Sequence, residues 1–231
     1  MGAAYFMDAI GWALGSVLGH LYLHGLVVDP DPGALALEPR DVHWTHEGQS
    51  GIGRAWTVRL LPPCPALRRG CPGDPAFRMA FEDSFARLVA PLTEGLHAAS
   101  GLSRPALWRL AGDGLVLGLI EPARALGRTA LLPAEAEALS ARQGGRFFAR
   151  QRRIVELVLP ADPARNLPES REIWRARGGC CRAYTWGGNG YCSTCVHLAP
   201  EEQIRRWQDW QEGQRAAAAA AGPEEDPCPA V

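Results

Sequence analysis

GGCCRAYTWGGNGYCSTC, residues 178–195, carries four of the chain's seven cysteines, Cys180, Cys181, Cys192 and Cys195, in the spacing CCx10Cx2C. Four thiolates can close the coordination shell of a soft metal centre, either one zinc ion or an iron-sulfur cluster. The two-residue gap of Cys192 and Cys195 lets both sulfurs point at one metal from a tight turn, a unit found in both kinds of site. Cys180 and Cys181 are adjacent, with Cα atoms about 3.8 Å apart, and in a regular strand they would face opposite ways. An irregular backbone is therefore expected there. Gly178 and Gly179 before the first pair, and Gly187, Gly188 and Gly190 before the second, are expected to loosen the two loops that deliver the thiolates. A common zinc ribbon would show two CxxC hooks instead.

Outward from this stretch, 231 residues allow one or two domains, and 47% hydrophobic residues can bury a sizeable core. All 24 basic residues are Arg, a coding bias rather than a functional signal, and 25 acidic residues bring the net charge to -1, which gives no reason to expect a nucleic-acid partner. Seven unevenly spread cysteines are not the layout of a secreted disulfide scaffold, so a reducing cytoplasm is expected, with Cys64 and Cys71 as free thiols and Cys228 idle. The N-terminus lacks the pattern of a signal peptide, and Phe6 stands where a myristoylation motif needs Ser or Thr. Ala9 to Val28 has no formally charged residue and is long enough to resemble a membrane span. Its Gly11, Gly15, Gly19, Gly25, His20 and His24 favour a core helix that buries Trp12, Val17, Leu18, Leu21 and Leu23, with association at a membrane surface as the alternative.

The remaining pattern predicts an α+β fold. Turn chemistry at Asp29 to Gly33 precedes strands around Val42 to Thr45 and Ala55 to Leu61, with Gly48 to Gly53 as a hairpin loop. Leu61 to Pro75 holds five prolines and is expected to be irregular. Phe77, Phe81, Phe85, Leu88 and Val89 recur at helical spacing, with Pro91 bending or ending that helix. Ser103 is a candidate N-cap, Gly112 to Gly114 breaks the next helix, and Leu115 to Ile120 reads as strand or helix. Ala134 to Gln143 reads as helix and Ile154 to Leu159 as strand. The proline-broken Ala161 to Ser170 marks a boundary between a helix-rich N-terminal region with a small antiparallel sheet, 1–165, and a small C-terminal cysteine module, 166–221. After Pro200, Ile204, Trp207 and Trp210 share a helix face expected to pack onto the module or the main core, and 222–231 is expected to be a disordered tail.

The cysteine pattern resembles the FhuF-type ferric-siderophore reductases, whose C-terminal signature is a vicinal cysteine pair, ten residues, then CxxC. Arg177, Cys180, Cys181, Tyr184, Gly190, Cys192 and Cys195 stand as that family has them, whereas Val196 replaces a frequent Pro and Arg182 a usual aliphatic residue. The motif likeness covers Arg177 to Val196. It implies a 2Fe-2S cluster on the four cysteines, with Arg177 and Tyr184 close around it. The activity implied is one-electron reduction of a ferric siderophore, most readily a hydroxamate, fed by a donor such as a ferredoxin or a flavin reductase. Each local pair is assigned to one iron, Cys180 with Cys181 and Cys192 with Cys195. The rival readings are an electron shuttle or redox sensor with the same cluster, and a structural zinc module in an adaptor.

Other constellations are weaker. His20 with His24 and His43 with His46 lack a surrounding ligand pattern and read as structural or solvated. His197, two residues past the last cysteine, is placed to tune a centre there or to couple it to a proton. Arg142, Arg146, Arg150, Arg152 and Arg153 with Phe147 and Phe148 form a positive run that reads first as a solvated helix face and second as a guide for an acidic donor or an anionic siderophore.

Overall fold

The structure, a computed structural model, describes residues 2–29, 33, 35–46, 49–61, 66–142, 145–185 and 190–221. In chain order the elements are α1 (Gly2–Leu23), β1 (Leu26–Asp29), β2 (Leu35–His46), β3 (Gln49–Leu60), β4 (Ala66–Arg69), α2 (Pro75–Ser100), α3 (Arg104–Ala125), α4 (Leu132–Ala141), β5 (Arg153–Leu159), β6 (Ser170–Ala176) and α5 (Pro200–Ala221). The strands form three two-stranded antiparallel ladders, β1 with β4, β2 with β3 and β5 with β6. Helices with small antiparallel sheets make this an α+β fold, as the pattern predicted.

Its centre is the contact between α1 and α3, and glycine sets how close they come. A Cβ at Gly114 would lie 2.4 Å from the Trp12 amide nitrogen, and one at Gly118 would lie 2.4 Å from Gly15 C and Ser16 N. Gly11 and Gly15 answer from α1, where an added Cβ would meet the backbone of Ala111 and Leu115 within 3 Å. Backbones this near leave no room for side chains between them, so Met7, Ile10, Leu14, Leu107, Leu110, Leu115 and Leu119 close the core around the seam. The break expected at Gly112 to Gly114 is therefore absent, because tertiary packing outweighs a glycine cost of about 1 kcal/mol each. Leu115 to Ile120 is helix. The expected core helix exists but runs from Gly2 to Leu23, after which Gly25, at φ 77°, turns the chain so that Val27 and Val28 enter β1. Among the described residues no helix is long and apolar enough to cross a membrane.

α2 begins where Asp74 accepts a hydrogen bond from the Phe77 amide at 2.8 Å, with Pro75 at its first position. Phe77, Phe81, Phe85, Leu88 and Val89 are buried as their spacing predicted, and Tyr22 of α1 stacks on Phe77 and Phe81 at 5.3 and 4.5 Å. Pro91 does not end the helix, which continues to Ser100 and stops at Gly101, φ 70°. Burial of Val89 and Thr93 on either side holds the chain helical across it. Ser103 caps α3 as expected, accepting from the Ala106 amide at 3.4 Å.

Two loop expectations fail. Gln49 to Gly53, read as hairpin loop, belongs to β3, whose register with β2 runs from Leu35 opposite Leu60 to His46 opposite Gln49. The proline-rich connection contains β4, because Ala66 to Arg69 has no proline and its amides are free to pair with β1. Ala161 to Ser170 connects the paired strands β5 and β6, closed by a bridge between Asp162 and Leu167. On this ladder lies α5, with Trp207 fully buried and stacked on Trp174 at 5.5 Å, while Trp210 stays 47% exposed at the edge. The expected tail, with Cys228, lies outside the described residues, as do Cys64, Gly48, Gly187 and Gly188.

Candidate metal centre

Two buried acids, each set in an apolar stretch of helix, organise the region of the cysteines. Asp113 of α3 is wholly buried, and its carboxylate accepts Arg152 Nε at 2.7 Å and the amides of Gly178 and Gly179 at 2.7 and 2.8 Å. Arg152 spends its other nitrogens on the carbonyls of Phe147 and Arg109, both at 2.7 Å. Its charge is therefore fully satisfied, the condition under which a buried pair is tolerated. Asp8 of α1 accepts Arg175 at 3.4 Å and Arg177 Nη2 at 2.6 Å. Burial pulls the Arg175 guanidinium below its usual range, against the pull of Asp113 and Asp8.

These contacts pin the chain immediately before Cys180. Gly178 and Gly179 do not act here through a left-handed backbone, since neither has a positive φ. They act by closeness: a Cβ on Gly178 would lie 2.3 Å from that of Ala149, and one on Gly179 would lie 3.1 Å from the Leu110 amide nitrogen. The segment after β6 is irregular, as two adjacent cysteines required, and Arg182 takes a left-handed φ of 61° just after Cys181. Gly190, at φ 60°, does turn the chain into the second pair.

Cys181 is buried in the main core, against which the half-buried Cys192 packs. The Cys181 thiol donates to the Cys192 sulfur, and this bond, followed by burial acting in the opposite sense and then by the Arg177 charge, leaves the Cys192 thiol lowered to about 6. Cys195, 5% exposed, is near enough to oppose that charge. The turn between them is closed by the Cys195 amide on the Cys192 carbonyl at 3.0 Å, and Gln203 of α5 donates to the Cys195 carbonyl at 2.7 Å. Cys180 Sγ faces His197 Nε2 at 3.5 Å. The rings of Tyr184, Tyr191 and His197 pack together at 5.2 to 5.6 Å beside it. Among the described residues no group of three or more His, Cys, Asp or Glu side chains stands ready-made to hold a metal ion.

The donors nevertheless fit a group that takes thiolates. Cys192 has a thiol already shifted toward thiolate by its neighbours. Among the described residues Arg177 Nε and Nη1 are buried without a hydrogen-bond partner, and only Nη2 is used, on Asp8. Burial works to lower its pKa, but Asp8, Cys181, Asp113 and Cys192 outweigh this and raise it. A buried cation with two idle donors beside two thiols suits a centre of net negative charge.

Of the residues the sequence reading assigned to one site, the structure brings Arg177, Cys181, Cys192 and Cys195 together, and separately Cys180, Tyr184 and His197. The sequence reading missed Asp8, Asp113, Tyr191 and Gln203. Asp8 and Asp113 had a visible signal, each being a lone acid within a long apolar run; Gln203 had none. His20 and His24 are exposed with rings 4.7 Å apart, and His43 is exposed, all consistent with solvated histidines. Cys71 is an exposed free thiol. No protein-family model, no curated protein and no solved structure matches this chain.

Proposed function

We propose that the protein is a cytoplasmic reductase of ferric siderophores, in which Cys180, Cys181, Cys192 and Cys195 hold a 2Fe-2S cluster within a C-terminal cysteine module. The observation that carries this reading is the meeting of Cys181 and Cys192, with ten residues between them in sequence, beside the buried Arg177 guanidinium. Bound there, such a cluster supplies single electrons without rearranging its ligands. The substrate iron, Fe(III) in a cage of hard oxygen donors, takes one electron from a ferredoxin or flavin reductase by way of this site and becomes Fe(II), which those donors hold weakly. The protein's own groups orient and tune. Asp113 fixes the loop, Asp8 aims Arg177, and the unpaired Nε and Nη1 of Arg177 stabilise the more negative state of the site. His197 beside Cys180 offers a proton-bearing group at the exposed side.

Anaerobic purification tests this directly. A brown protein with about two irons and two sulfides per chain and an EPR signal on reduction is expected, from the composition of such a cluster. When reduced, it should release ferrous iron from a ferric siderophore into a ferrous chelator. Colourless protein with stoichiometric zinc would overturn the reading. A coloured protein that reduces no siderophore would make it an electron shuttle. Cys181→Ser with an unaltered spectrum would remove Cys181 from the ligand set.

A further inference from the structure

The arginines of the run around residues 142–153 do not share one helix face: Arg142, Arg146 and Arg150 are exposed, Arg153 is half-buried and Arg152 is buried. Arg142 pairs with Glu82 at 3.5 Å, Arg152 is consumed by Asp113, and Arg146 lies over the Trp108 ring at 5.4 Å. Arg150 and Arg153 are left without a carboxylate among the described residues, Arg153 making only long contacts to Gln151 and Gln203 at 3.4 and 3.3 Å. Both line a cavity of about 390 Å³ between α4 and the start of β5. Its wall also holds Ser140, which is 5% exposed and whose Oγ has no hydrogen-bond partner. Among the described residues of the lining, Glu137 at the rim is the one carboxylate. With Arg152 neutralised by Asp113, two free guanidinium groups face one carboxylate, so the cavity is net positive.

Its position is as telling as its charge. Ala149 and Arg152 line this cavity and also touch Gly178, two residues before Cys180. The volume falls within the roughly 300–1,000 Å³ of small-molecule sites. Guanidinium groups without partners recognise carboxylates by paired, charge-assisted hydrogen bonds.

We propose that this cavity binds a small polycarboxylate and, resting on the function proposed above, that its occupant is a ferric hydroxycarboxylate chelate. Charge makes the choice. Three hydroxamates neutralise Fe(III), leaving nothing for two arginines to hold, whereas hydroxycarboxylates that also lose the hydroxyl proton give a chelate of net negative charge. Arg150 and Arg153 grip the outward carboxylates, which places the substrate iron against the wall shared with the cysteine loop.

Gallium(III) citrate, a redox-inert mimic, tests binding apart from electron transfer. Calorimetry on the full chain as purified is expected to show binding that weakens with salt, falls about tenfold in Arg150→Gln, and is largely restored in Arg150→Lys. Free citrate and inorganic phosphate are expected to bind more weakly than the chelate, and a gallium hydroxamate not to compete. Equal binding of free citrate and chelate would overturn the chelate assignment. Absence of binding, or binding unchanged in Arg150→Gln and Arg153→Gln alike, would overturn the site. Neither result touches the cluster reading, which is decided by colour and metal content; conversely, a zinc-bearing protein that still bound citrate through Arg150 would keep the site and lose its iron substrate.

Discussion

Glycine does opposite work at the α1–α3 seam and at the turn into the second cysteine pair. At the seam, Gly11, Gly15, Gly114 and Gly118 sit in ordinary helix and are needed only because a Cβ would enter the opposing backbone. At Gly190 nothing among the described residues lies within 4 Å of an added Cβ, and what is needed is the left-handed φ of 60°. Gly178 and Gly179 belong with the seam in kind though they lie in a loop: they let the chain press onto Ala149 and Leu110 and hand two amides to Asp113. The site is thus anchored on its first cysteine pair by core packing and shaped at its second by backbone conformation.

The contrast can be broken most severely at Asp113. Asp113→Ala leaves Arg152 buried without its partner and frees two loop amides, and should lower stability by about 3–5 kcal/mol, read by chemical unfolding of the metal-free protein. Gly118→Ala comes next, at about 3 kcal/mol by overpacking at the seam. Melting like wild type would mean that α1 and α3 do not approach this closely. Gly190→Ala should destabilise by about 1 kcal/mol, the cost of a left-handed backbone for a residue with a Cβ, without any clash.

A third departure is electrostatic. In the metal-free protein the Cys192 thiol, at about 6 against an ordinary 9.0, should be alkylated with an inflection near pH 6. Because its folded value is depressed, it adds to stability as pH rises from about 6 toward 9 and withdraws that contribution as pH falls through about 6. Arg177→Gln should move the inflection upward; an unmoved inflection would separate Arg177 from the thiols. The smallest effect is the control: Gly95→Ala, on an exposed stretch of α2 with nothing within 4 Å, should stabilise by about 0.5–1 kcal/mol, since neither closeness nor φ demands glycine there.

How far the sequence went follows from the range of the forces involved. Helical spacing of Phe77, Phe81 and Phe85, the Ser103 cap, the β5 strand and the need for an irregular backbone at Cys180 and Cys181 were all legible, because each depends on neighbours within a few residues. Gly112 to Gly114 misled, since in isolation two glycines weaken a helix, and only the arrival of α1 turns their smallness into an asset. The length of the β2–β3 ribbon and the pairing of β4 with β1 were missed for a like reason, a strand being defined by a partner the local pattern does not name.

On its own the sequence determined the four cysteines, their spacing and the class of chemistry they can serve, because ligand type is a property of the side chain alone. Only the tertiary structure decided that Cys181 meets Cys192, that Asp113 and Asp8 reach across more than sixty residues to hold the chain in front of them, and that two of the five arginines, Arg142 and Arg152, are taken by carboxylates. Burial and pairing of charge are set by what packs nearby, and no local pattern carries that.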